Sequence, residues 1–144
     1  MNETYFMHMA LAEAKKASAV NEVPVGAVVV CRGKIIARAH NQVERLRDAT
    51  AHAEMLVLSA AFNNLGGKYL KGCTLYVTLE PCLMCASATF WAKLSSLVFA
   101  ANDTKLGYTT YPFNPLHPKT KTDSGILKLE SEQILKTFFE NLRK

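Results

Sequence analysis

Cys73-Thr74-Leu75-Tyr76-Val77-Thr78-Leu79-Glu80-Pro81-Cys82-Leu83-Met84-Cys85 reads as a strand running into a helix. Cys73 to Leu79 is a short apolar run with β-branched and aromatic residues, the composition of a buried strand. Pro81 suits the first helical position, where a missing N–H leaves no bond unmade. The pattern predicts a strand over 73–79 and a helix from Pro81 through Trp91. Strand-to-helix units of this kind build α/β sheets.

Working outward, Leu97 to Ala101 is another short strand. Upstream, a helix is expected to start near Thr50 or Ala51 and to run to Phe62, where Asn63-Asn64-Leu65-Gly66-Gly67 stops it. Val25 to Cys31 and Ile35 to His40 flank the turn Arg32-Gly33-Lys34 and are expected to pair as a hairpin. Asn41 to Thr50 is a polar loop. Glu3 to Val20 carries Phe6, Met9, Ala10, Ala14 and Ala17 at helical spacing, with Asn2 as cap. Glu130 to Leu142 is a final amphipathic helix. Asn102 to Gly125, with Pro112, Pro115 and Pro118, is a surface loop with room for one edge strand. This order predicts a mixed sheet with helices on both faces, in one domain over 1–144.

Of the 144 residues, 49% are hydrophobic, enough for one core. The longest apolar stretch, Val23 to Cys31, is interrupted by Pro24 and Gly26 and is far shorter than the roughly 20 residues of a membrane span. No signal peptide is legible at Met1-Asn2-Glu3-Thr4, so a cytoplasmic location is expected. With such a core the four cysteines need not form a disulfide framework. The net charge of +5 permits a polyanionic partner without requiring one.

His52-Ala53-Glu54 and Pro81-to-Cys85 together offer one imidazole, two thiols and a spare carboxylate. Cys82 and Cys85, at i and i+3, share a helix face. In a first helical turn the dipole and free N–H groups favour thiolates, the form that binds metal. His52 stands in the first turn of its own helix, and the two helix starts can converge at one sheet edge. Three ligands leave a fourth position for water, as in a catalytic zinc site. A structural site would need a fourth protein ligand. Cys73 lies about 20 Å away along its strand; Cys31 and His40, at strand ends, remain candidates. A redox Cys-x-x-Cys leaves His52-Ala53-Glu54 unexplained. Two thiolates make the site formally neutral, so water there needs a base. Glu54, not required as a ligand, can serve as proton shuttle. It could equally be a first-turn acid that stabilises its helix.

These residues resemble the zinc nucleoside and nucleobase deaminases, with their His-x-Glu and Pro-Cys-x-x-Cys signatures. Asp48 to Met55, Thr74 to Ala86 and Glu22 to Val28 are similar to the tRNA adenosine deaminases in particular, and the likeness covers nearly the whole chain. The resemblance implies an α/β protein, three-layer α/β/α with a central mixed five-stranded sheet, acting as a homodimer. It implies one Zn2+ per subunit on His52, Cys82 and Cys85, with Glu54 catalytic. It implies deamination of adenosine to inosine at the wobble position of a tRNA anticodon loop. Activated water would attack C6 of the flipped-out adenine, Glu54 would protonate N1, and ammonia would leave. Asn41 matches a base-binding asparagine. Asp103, Lys105, Phe138 and Phe139 match positions close to RNA. Ala49 replaces a usual proline, Asn102 replaces a frequent arginine, and Tyr108 to His117 departs from the common pattern. Ala88 to Ala92 has some likeness to guanine deaminases, so a free nucleobase is the alternative substrate. A non-catalytic RNA-binding subunit with structural zinc is a third reading, and it gives no reason for Glu54.

Overall fold

Asn2 caps the first helix by accepting a hydrogen bond from the Tyr5 amide at 2.9 Å, and α1 runs Glu3–Ala19. The structure is a computed structural model, and it describes residues 2–144. Strands β1 (Gly26–Cys31) and β2 (Lys34–His40) form the expected antiparallel hairpin. Arg32 and Gly33 take φ of 53° and 75° at its turn, the left-handed geometry that two-residue hairpins favour. Helices α2 (Val43–Leu46) and α3 (Ala53–Leu65) follow. Strand β3 (Cys73–Leu79), helix α4 (Leu83–Ala92) and strand β4 (Ser96–Ala101) come next. A short edge strand β5 (Lys121–Ser124) and helix α5 (Lys128–Leu142) complete the chain.

The sheet order is β2-β1-β3-β4-β5. Pairing is antiparallel from β2 through β3 and parallel from β3 through β5. This is the mixed five-stranded sheet that the resemblance implied. Side chains alternate across it. Leu75 and Val77 of β3 join Val57 and Ala61 of α3 and Ala86 of α4 in one core. Tyr76, between them, joins Phe6, Met7 and Ala10 of α1 on the other face. Helix α5 packs beside α1, and the buried Ser131 hydroxyl donates to the Thr78 carbonyl, pinning α5 to β3. Gly26 lets α1 lie close on the sheet: a Cβ there would run into the α1 backbone at Ala10 and Ala14.

Several sequence expectations need correcting. Pro81 does not open its helix. Its carbonyl accepts the Tyr108 amide at 2.9 Å, and Cys82 remains extended as the N-cap of α4. The upstream helix starts at Ala53, not Thr50 or Ala51, because Asp48 Oδ1 takes both the amide and the hydroxyl of Thr50. His52 is therefore an N-cap residue and not part of the first turn. The polar loop contains α2, held by the buried Glu22 carboxylate, which accepts the Glu44 and Arg45 amides. The cysteines far from the site are paired: Cys31 and Cys73 face each other across β1 and β3 and form a disulfide. The antiparallel register brings them together, and spacing along the chain does not show a register.

Candidate metal centre

Helices α3 and α4 begin side by side, each with a metal-binding side chain on its N-cap residue. His52 and Cys82 have extended backbones, with φ, ψ of −70°, 151° and −71°, 174°. Cys85 sits within the first turn of α4 and is fully buried. The His52 Nδ1 lies 3.6 Å from Cys82 Sγ and 3.6 Å from Cys85 Sγ. The three ligand atoms all lie within 4.8 Å of one another. A tetrahedral ion with usual Zn–S and Zn–N lengths has an N···S edge of roughly 3.5 Å. The donor set and its spacing therefore fit zinc.

Cys82 and Cys85 are hydrogen-bonded to each other beside the His52 imidazole. The hydrogen bond from Cys85 and the neighbouring imidazole hold Cys82 well below the usual thiol range. That same hydrogen bond, together with burial, pushes Cys85 up. The bond to Cys82 raises His52 against the effect of its burial. The Cys85 amide faces Cys82, and the Met55 amide of α3 faces the Cys85 sulfur.

No fourth protein ligand approaches among the described residues. Cys31 and Cys73 are bonded to each other. His40 Nδ1 lies 3.3 Å from Glu13 Oε1. His117 lies against the Phe90 ring. Glu54 is 4% exposed, and burial pushes its carboxyl up to about 7. It stands outside the ligand cluster yet lines the same cavity as His52 and Cys82. A buried acid titrating near neutrality beside an open metal position can both take and return a proton.

The cavity has a volume of about 680 Å³ and also takes in Asn41, Asp103 and Lys105. Phe138 and Phe139 of α5 form part of its wall. Asn41 Oδ1 accepts the Ala53 amide at 2.8 Å, so its amide nitrogen is the end left to donate. Asp103 Oδ1 accepts the Lys105 and Leu106 amides at 3.1 and 3.0 Å and shapes the loop. Phe138 is 8% exposed and packs, whereas Phe139 is 39% exposed. Asn102, at the position of a frequent arginine, donates to Glu80 Oε1 at 3.2 Å. Sequence reasoning missed Glu22 and Glu80, buried acids that also line the cavity. The one signal for Glu80 was a charge directly between an apolar strand and a ligand motif.

The zinc-binding region of cytidine and deoxycytidylate deaminases matches residues 1–101. The tRNA-specific adenosine deaminase of Aquifex aeolicus is 45% identical, over 99% of this chain and 97% of that protein. The Bacillus subtilis tRNA-specific adenosine deaminase is 46% identical, over 96% and 89%. The chain belongs to this deaminase family, among its tRNA-specific adenosine deaminases. A solved structure from work on A-to-I editing by tRNA:A34 deaminases at the wobble position of transfer RNA superposes with a TM-score of 0.85. It is 42% identical, covering 92% of this chain and 100% of that one. The guanine deaminase of Nitrosomonas europaea shares the family fold at a TM-score of 0.82 and 27% identity, covering 95% of this chain and 84% of that one. The family is zinc-binding, in keeping with the His52, Cys82 and Cys85 donor set. No helix among the described residues is long and apolar enough to cross a membrane.

Proposed function

We propose that this chain is a cytoplasmic zinc hydrolase that deaminates adenosine to inosine at the wobble position of tRNA. The observation that carries this reading is the continuity of the cavity. One space joins His52, Cys82 and Glu54 to the 102–106 loop and the α5 wall. At about 680 Å³ it exceeds what one purine fills, so a flanking nucleotide can enter as well.

His52 Nδ1 and the Cys82 and Cys85 sulfurs would hold the zinc. When bound, the ion supplies a Lewis acid that makes water nucleophilic at neutral pH. Glu54 takes the proton of the attacking water on its carboxylate and passes it to adenine N1. It then takes the remaining proton of the oxygen now bonded to C6 and hands it to the C6 amine, so that C6=O forms as the C–N bond breaks and ammonia leaves. The free Asn41 amide donates to an acceptor on the purine and orients C6 towards the water. An anticodon-loop base is already partly unstacked, so turning it into the cavity costs a few kcal/mol at most. Lys105 on the cavity wall, with Arg45 beside Glu44 of that wall, can meet backbone phosphates. Phe139 offers an exposed ring on which a neighbouring base can stack.

The reading includes a homodimer. Trp91 is 75% exposed on α4, next to the partly exposed Phe90. Such rings are common at the centre of subunit contacts. Light scattering should give a dimer for the parent and a shift towards monomer for Trp91→Ser; a monomeric parent would remove this part of the reading.

The function is tested by giving the zinc-loaded protein an anticodon stem-loop with adenosine at the wobble position. Guanine, cytosine and free adenosine are offered separately. Inosine in the stem-loop is the expected product. Ammonia released from guanine alone would replace the tRNA reading with guanine deamination.

A further inference from the structure

Glu80 links β3 to the ligand Cys82 through Pro81 and is 3% exposed. A carboxylate so buried is costly unless its oxygens are satisfied. No ion pair reaches it among the described residues. Four hydrogen bonds do: Asn102 Nδ2 and the Asp103 amide donate to Oε1 at 3.2 and 3.1 Å, and the Thr109 amide and hydroxyl donate to Oε2 at 2.9 and 2.8 Å. The Glu80 amide itself donates to the Ala101 carbonyl at 2.8 Å. Both ends of the 102–109 loop are thus tied to one side chain.

The middle of this loop reaches the metal centre. Gly107 pairs with Cys82 in an isolated antiparallel bridge, and the Tyr108 amide donates to the Pro81 carbonyl at 2.9 Å. Gly107 has φ of −64°, which any residue can adopt. Its requirement is space, since a Cβ there would overlap the Glu80 carboxyl group and the Asp103 carbonyl. The loop is therefore wrapped on the carboxylate with no room for a side chain between them. It carries Asp103, Lys105 and Leu106 on the cavity wall.

We propose that Glu80 is a positioning residue whose buried carboxylate sets the metal ligand Cys82 and the substrate-facing 102–109 loop as one unit. Three of its four donors are N–H groups, which can only donate. An amide in place of the carboxylate must turn its own N–H bonds towards one of them. Loosening the loop then frees both the Cys82 backbone and the cavity wall. Partners that orient metal ligands are typically worth ten- to hundredfold in metal affinity. The RNA side of this inference rests on the tRNA deaminase reading; the zinc side does not.

The test uses Glu80→Gln and Gly107→Ala in the full-length protein, with Thr109→Val as a milder variant that removes one donor. Zinc affinity is read by competition with a chromophoric chelator. Binding of a wobble-adenosine stem-loop is read in a Glu54→Ala background, which prevents turnover. Glu80→Gln and Gly107→Ala should each lower zinc affinity and stem-loop affinity about tenfold. Thr109→Val should move both the same way by less, and it carries the test with Gly107→Ala if Glu80→Gln does not fold. Variants that melt earlier yet keep parental zinc and RNA affinity would show a merely structural carboxylate and overturn the proposal. Loss of one affinity without the other would overturn the coupling. A parent that binds no stem-loop would defeat the tRNA reading, and the zinc measurement would still decide whether Glu80 positions Cys82.

Discussion

The starts of α3 and α4 solve one problem in two ways. In each, the N-cap residue gives its side chain to the metal centre. At α3 the cap is imported: Asn41, beyond the end of β2, places Oδ1 on the Ala53 amide. At α4 no side chain is imported, and the Cys85 amide turns to the sulfur of the N-cap Cys82 itself. The Cys82 backbone is instead held by its bridge to Gly107. The α3 start thus presents a side-chain amide and a buried acid, while the α4 start presents sulfur supported by N–H groups. Chemistry that moves protons is grouped on one helix, and charge that holds metal is concentrated on the other.

The division can be broken most strongly at Glu54. Glu54→Ala should keep one zinc per chain by elemental analysis and lose about 10²- to 10⁴-fold in turnover. Undiminished turnover would mean that α3 contributes only a ligand. Next in size is a pH effect in the metal-free protein. Burial raises the folded Glu54 carboxyl from 4.5 to about 7. The folded chain holds that proton more tightly than the unfolded chain, so its stabilisation is complete below pH 4.5 and lost as pH rises through about 7. Glu54→Gln should therefore melt above the parent at pH 8, by up to about 3 kcal/mol, and the gap should narrow towards pH 5. A gap independent of pH would mean that Glu54 is not buried as an acid. The smallest effect separates the two ends of Asn41. Asn41→Ala should lose about 1 kcal/mol of stability with the cap. Asn41→Asp retains the accepting oxygen, so it should melt near the parent while stem-loop turnover falls with the lost donor. Equal melting losses in both variants would deny the capping role.

Much of this could be read in the sequence because it is local. The composition of Cys73 to Leu79 is decided locally, as is the glycine stop of α3, although the helix runs on to Leu65 past the expected end at Phe62; the Cys82–Cys85 spacing is set by one helical turn. The helix starts differ from the expectation by a few residues because groups outside the helices set them: Asp48 gathers Thr50 two residues on, and Tyr108, far along the chain, holds Pro81. The metal ligands were legible because sulfur and imidazole at those spacings have few other uses. Glu22 and Glu80 were not, since a glutamate's burial depends on which amides fold around it. Their donors lie at 44–45 and at 102–109, far along the chain. Adjacent Phe138 and Phe139 point about 100° apart around α5, so one is buried and the other exposed.

The Cys31–Cys73 bond gives the molecule two redox requirements. Strand β3 begins at an oxidised cysteine and leads to a pair that must be reduced to take metal. A strong thiol reductant protects Cys82 and Cys85 but opens the bond that joins residues 42 apart, releasing a loop constraint worth about 4 kcal/mol. An oxidising buffer preserves that bond and leaves the metal pair open to attack until zinc occupies it. The order of handling therefore matters: metal added under reductant covers Cys82 and Cys85 first, and removing the reductant afterwards lets Cys31 and Cys73 close across β1 and β3.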